Sequence, residues 1–130
     1  MTFALLVLIA AAVALDAPRR GVFVVPLDGY PGHYLAPEAA AAFAAACDVA
    51  RPYSVTSSYR SREEQERLYA EYASGQRSAP VAKPGTSKHE LGLALDARGP
   101  IEWERAMGAR GWRRPIAAIE PWHWEYGGSA

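Results

Sequence analysis

The sequence predicts a single small domain of mixed helix and strand, and three observations lead there. Its 130 residues suffice for one core and are too few for two comfortable ones. Three stretches carry helix signals: Pro37 to about Ala50, Ser61 to a stop at Gly75, and Pro100 to Ala109. Among them lie short runs with strand composition or alternation, namely Gly21–Val25, Tyr53–Ser58, Leu93–Ala97 and Trp122–Tyr126. Composition is that of an ordinary globular protein, 50% apolar and 22% charged.

Fourteen basic residues balance fourteen acidic ones, so there is no electrostatic footprint for nucleic acid. The single cysteine, Cys47, excludes an intramolecular disulfide and is neutral on compartment. It sits in an Ala-rich helical stretch and reads as a small buried hydrophobe.

Taken in order, the chain opens with an uninterrupted apolar run over residues 3–15. Spanning a bilayer takes about 20 residues, so the run is short for that and fits the core of an export signal or a weak membrane anchor. The charge placement is the reverse of the usual one, with Arg19 and Arg20 after the run and no basic residue before it. A buried terminal helix is the alternative. The division expected is an apolar segment, 1–17, and one folded domain, 18–130.

Gly21–Val25 reads as a strand ended by Pro26 and a turn-rich segment, after which His33 is expected on an exposed loop. Pro37 suits the first turn of a helix whose Ala-rich body has high propensity. The strand at Tyr53–Ser58 runs into Ser61 and Glu64, which have capping-box spacing. Arg60 therefore lies at a strand-to-helix junction. It either projects into a site or pairs with Glu63 or Glu64 on the surface. Residues 76–86 form a loop of the length that borders clefts. The third helix carries Ile101, Trp103 and Met107 partly on one face.

Two segments hold most of the chemistry: Ser87 to Asp96, and Glu120 to Tyr126. A catalytic zinc keeps three protein ligands from His, Asp and Glu and leaves a position for water. An unligated carboxylate must then take the water proton and pass it to the leaving amine. His89, Asp96 and His123 fit as ligands. Ala94 and Asp96 share one strand face, and Gly92 lets the chain turn between His89 and that strand. In the last strand His123 and Glu125 face one way while Trp122, Trp124 and Tyr126 face the other. That alternation favours Glu125 as the partner of His123, whereas Glu120, held extended by Pro121, reaches in from the strand's entrance. Spacing leaves the base open between the two. Plainer readings also exist: a histidine packed between tryptophans, an Asp96–Arg98 ion pair, and a turn at Glu120-Pro121.

At these residues the sequence resembles a known family. Ser87-x-His89-x-x-Gly92-x-Ala94-x-Asp96, followed by Glu120-Pro121-Trp122-His123-Trp124, is similar to the VanY-type D-alanyl-D-alanine carboxypeptidases. Ser58-Tyr59-Arg60-Ser61 with Gln65 and Leu68-Tyr69 resembles a further family segment, as does Val81-Ala82-x-Pro84-Gly85-Thr86-Ser87. The resemblance covers about residues 34–126. It implies a small α+β domain, an antiparallel sheet flanked by helices with a zinc cleft on the sheet, the fold shared with hedgehog-like proteins.

It further implies one zinc ion on His89, Asp96 and His123, Glu120 as general base, and Arg60 stabilising negative charge on the attacked carbonyl. Ser87 would line the substrate cleft, with Gln65 supporting the Arg60 segment there. The substrate implied is the peptidoglycan stem peptide, hydrolysed by a D,D-carboxypeptidase in the cell envelope, periplasmic or extracellular. The expected partners are that peptide alone, with no nucleic acid, a monomeric chain, and membrane association through residues 3–15. Two alternatives stand beside this. One is a phage-type endolysin cutting between L-alanine and D-glutamate, made in the cytoplasm and released to the wall. The other is a wall-binding relative without catalysis.

Overall fold

In a computed structural model, which describes residues 22–128, the last strand of the chain lies inside the sheet rather than at its edge. Two short strands, β1 (Val25–Pro26) and β2 (Tyr34–Leu35), form an antiparallel ribbon. Helix α1 (Pro37–Val49) follows, then β3 (Ser54–Ser57) and helix α2 (Arg62–Ala73). A 3-10 turn at Lys88–Leu91 leads into β4 (Ala94–Arg98), and helix α3 (Ile101–Gly108), β5 (Trp112–Arg113) and β6 (His123–Tyr126) complete the order. The main sheet is antiparallel with order β3-β4-β6-β5.

Register and alternation divide this sheet into two faces. Leu95 lies opposite Trp124, and Asp96 lies opposite His123. Because side chains alternate along a strand, Leu95, Ala97, Trp124 and Tyr126 enter the core while Asp96, His123 and Glu125 take the other face. The core face packs against α1 and α3. Helix α1 begins with Pro37, whose missing N–H would be unbonded there anyway. Its Ala39, Ala40 and Ala46 are buried beside Phe43, small enough to bring the helix close. In α3, Trp103, Ala106 and Met107 form the buried stripe, and Trp103 meets Trp124 edge-on at 5.3 Å between ring centroids.

Helix α2 starts as its spacing predicts: the Ser61 hydroxyl accepts from the Glu64 N–H at 3.1 Å, and Gly75 follows its end with a φ of 84°. Its outer face carries ion pairs of Arg67 with Glu64 and Glu71, which water largely screens.

The expected fold class is the one observed. Several local expectations are corrected. The first strand is shorter than Gly21–Val25 and contains Pro26, which a two-stranded ribbon tolerates because one side of each strand needs no donor. β2 and β5 are two residues each, too short to show a period. Ile101 is exposed, since it lies two residues before Trp103 and so on the opposite side of the helix. Trp122 precedes β6 and is half-buried beneath the Arg98 guanidinium, 4.9 Å from the ring centroid. His33 is half-buried, and its Nδ1 is bonded to the Ser58 hydroxyl at 2.8 Å. The apolar run 3–15 lies outside the described residues. No helix among the described residues is long and apolar enough to cross a membrane.

Candidate metal centre

Three side chains converge on the polar face of the sheet. Asp96 and His123 face one another across β4 and β6. His89 comes from the 3-10 turn, which is held by a capping box: the Ser87 hydroxyl accepts from the His89 N–H at 3.2 Å, and the Glu90 carboxylate accepts from the Ser87 N–H at 3.3 Å. Gly92, with a φ of 72°, then turns the chain into β4. The result puts His89 Nε2 3.3 Å from Asp96 Oδ1 and His123 Nδ1 3.0 Å from the same oxygen. One ligand atom from each residue lies within 4.8 Å of the others. Ligands about 2.1 Å from a tetrahedral zinc stand about 3.4 Å apart, so the cluster is close to the right size.

The outward nitrogens of both rings are committed. His89 Nδ1 lies 2.7 Å from the Ser58 carbonyl oxygen, which can only accept, so Nδ1 donates there and Nε2 is the nitrogen turned toward Asp96. His123 Nε2 lies 2.9 Å from Glu125 Oε2, so its Nδ1 faces Asp96 in the same sense. A metal-ligating histidine is oriented in this way by an acceptor on its far nitrogen. The electrostatics agree. Burial pushes the Asp96 carboxyl up, but hydrogen bonds with His123 and His89 and the charges of His89 and Arg60 outweigh it and hold the group well below the usual carboxylate range. Burial pushes His123 down, but its contacts with Asp96 and Glu125 leave its pKa raised. This anionic, nitrogen-rich cluster fits a borderline-soft dication.

Arg60 does project from the β3–α2 junction into this site. Its Nε donates to the Ser57 hydroxyl at 3.0 Å, Nη1 to Gln65 Oε1 at 3.2 Å, and Nη2 to Asp96 Oδ2 at 3.4 Å. Gln65 is fully buried, and its Nε2 donates to the Ala82 carbonyl at 2.9 Å. Both ends of this amide are thus occupied, one by Arg60 and the other by the loop. The plainer reading of Arg60 as a surface partner of Glu63 or Glu64 gives way to these bonds. Asp96 pairs with Arg60 and not with Arg98.

A cleft of about 510 Å³ opens over the cluster, between the loop after α2 and the segment preceding β6. Arg60, Gln65, Ser87, His89, Asp96, Glu120, His123 and Glu125 all contribute to its lining. Glu120 stands on a turn in which the His123 N–H donates to the Glu120 carbonyl at 3.1 Å. Its carboxylate makes no hydrogen bond with the described residues, and its charge acts on Arg60.

Two residues of this region escape the sequence reading. Glu90 is fully buried, accepts from the Gly85 N–H at 2.8 Å and pairs with Arg62 at 3.2 Å. The Ser87-x-x-Glu90 spacing was its signal. Ser58 serves His89 through its backbone carbonyl, which no side-chain pattern reveals.

The family model for D-alanyl-D-alanine carboxypeptidase, VanY, matches residues 32–111. That span holds Arg60, His89 and Asp96 and stops before Glu120 and His123. Among solved structures the chain is similar to the vancomycin resistance D,D-dipeptidase VanXYg in complex with a D-Ala-D-Ala phosphinate analog, at 24% identity and a TM-score of 0.66 over 83% of this chain. It spans only 57% of that protein's length. It is also similar to a mutant of the vancomycin resistance D,D-pentapeptidase VanY from the VanB-type resistance cassette in complex with Zn(II), at 26% identity and a TM-score of 0.57, covering 85% of this chain and 81% of that one. VanYB in complex with D-alanine-D-alanine matches at 26% identity and a TM-score of 0.57, covering 85% and 80%. No curated protein sequence matches the chain significantly.

Proposed function

Since the chain belongs to the D-alanyl-D-alanine carboxypeptidase family, we propose that it is a zinc-dependent peptidase of peptidoglycan stem peptides, removing a terminal D-alanine. The observation that carries this reading is the His89–Asp96–His123 cluster on the floor of a cleft that Glu120 and Arg60 also line. The VanY and VanYB structures, the one with Zn(II) and the other with D-alanine-D-alanine, support the metal and the substrate class. Such a substrate places the reaction in the cell envelope.

A zinc ion held by His89 Nε2, an Asp96 oxygen and His123 Nδ1 would polarise the scissile carbonyl and make a water acidic near neutral pH. Glu120 takes the proton of the attacking water and hands it to the leaving amine of D-alanine. It suits the role because its carboxylate is not hydrogen-bonded to the described residues and it faces the cleft. Arg60, fixed by Ser57, Gln65 and Asp96, presents a pre-oriented cation for the charge that develops on the attacked oxygen. Ser87 and the loop around Ala82 form the wall against which the peptide lies.

The test is product analysis by mass spectrometry on a defined stem pentapeptide ending in D-Ala-D-Ala. The zinc-loaded protein releases one D-alanine, chelator abolishes the release and zinc restores it. Glu120→Gln takes up zinc normally and loses roughly 10²–10⁴ in turnover. No D-alanine from the zinc-loaded protein overturns the assignment, and new amino termini on D-glutamate would make the enzyme an endopeptidase instead.

A further inference from the structure

Glu125 is the one acidic residue of β6, and its carboxylate is spent in an unexpected place. Arg113 lies directly opposite it in register on β5, yet among the described residues the two form no ion pair. The carboxylate turns along its own strand and accepts from His123 Nε2–H at 2.9 Å. Residues i and i+2 of a strand share a face and stand about 6.6 Å apart, a gap that an imidazole and a glutamate arm together close.

We propose that Glu125 is the positioning residue of the third metal ligand. This rests on the zinc reading above. As an acceptor on Nε2, Glu125 fixes the tautomer of His123 that leaves the Nδ1 lone pair for the metal, and it aims the ring at Asp96. The two histidines are served unequally. His89 Nδ1 donates to the neutral Ser58 carbonyl at 2.7 Å, whereas His123 donates to a full negative charge, which makes it the stronger electron donor of the pair. The same geometry removes Glu125 from the role of general base. Its oxygen sits on the outward nitrogen of the ring, and the two ring nitrogens point in divergent directions, so the proton it holds is the one that orients His123 and not one from water. Glu120 and Glu125 thus divide the labour that spacing had left undecided between them.

The deciding measurement is zinc affinity, by competition with a chromophoric chelator, on the full chain. The proposal expects Glu125→Ala to weaken zinc binding roughly 10- to 100-fold. Glu125→Gln, which keeps an acceptor but not the charge, falls in between, and Glu120→Gln binds zinc like the wild type. The cobalt-substituted proteins give a second readout: the electronic spectrum changes in the Glu125 variants and stays unchanged in Glu120→Gln. Far-UV circular dichroism of the metal-free variants shows that the fold is retained. Unchanged affinity and spectrum in both Glu125 variants, with turnover lost, overturns the proposal and makes Glu125 a base, while leaving the zinc reading intact. A wild-type chain that takes up no zinc overturns the functional reading itself, and this proposal with it.

Discussion

Gly92 shows how much one residue between His89 and Asp96 constrains. Its φ of 72° is in the left-handed region, and a Cβ added there would meet the Ala36 nitrogen at 2.7 Å and Val24 Cγ1 at 2.9 Å. The backbone that crowds it also uses it, because the Ala36 N–H donates to the Gly92 carbonyl at 2.9 Å. Gly92→Ala should cost about 2–5 kcal/mol, the left-handed penalty and the overpacking together. Gly75→Ala, at a φ of 84° with nothing within 4 Å, should cost only the first part, about 1–2 kcal/mol, and urea denaturation of the two variants measures the difference. The sequence already placed a turn at Gly92 and named His89, Asp96 and His123, because two of the chain's three histidines lie in these two segments. It could not say which nitrogen of each ring points inward. That depends on acceptors at Ser58 and Glu125, and the first of these is a backbone carbonyl without any side-chain signature. Strand alternation did pair Glu125 with His123, and the hydrogen bond between the two is what the structure adds.

Among the elements, the 3-10 turn and the loop before it are held as one piece. Glu90 is buried beneath Gly85 and Ser87, whose N–H groups it accepts, and it pairs with Arg62 at the start of α2. Gln65, one turn further along α2, bonds the Ala82 carbonyl. Helix α2 therefore fixes one wall of the cleft at two points while its neighbour Arg60 reaches the floor. Glu90→Ala should raise the hydrogen-exchange rates of the Gly85 and Ser87 amides, by roughly the 1–3 kcal/mol that an unsatisfied or lost buried bond costs. The amides of β4 should keep their protection, and equal loosening of β4 would show that Glu90 supports the whole sheet instead. Helices α1 and α2 were legible to within a residue or two because Pro37, Ser61 and Gly75 are strong punctuation. The 3-10 turn was not, since four residues carry no periodicity. β2 and β5 escaped for the same reason, their two residues each being defined only by the strands they pair with.

At the scale of the whole molecule, the zinc reading proposed above couples metal, protons and stability. In the metal-free protein the pKa of His123 is raised, burial being outweighed by Asp96 and Glu125. Its contribution to stability is therefore fully present below the ordinary histidine range and is lost as the pH rises through the raised value. A metal ion takes the place of that proton, so zinc affinity should climb with pH through this titration, with proton release on binding that fades above it. Asp96 is already ionised there and releases nothing. Calorimetry in buffers of differing ionisation enthalpy checks this, and zinc binding without proton release near neutrality would contradict it. The strand order carries a further consequence for how the molecule is made. β6 is the last strand in sequence and sits between β4 and β5, and it brings both Trp124 to the core and His123 to the ligand set. Its pairing with β4 joins Ala94 to Glu125 and Asp96 to His123, and such non-local pairing is slow to form. During synthesis, a ribosome-bound chain that has emerged only as far as α3 has neither a closed sheet nor a third donor. On the zinc reading proposed above, hydrophobic closure and metal capture therefore arrive in one step, and a half-made chain has little means of trapping zinc in the wrong shape.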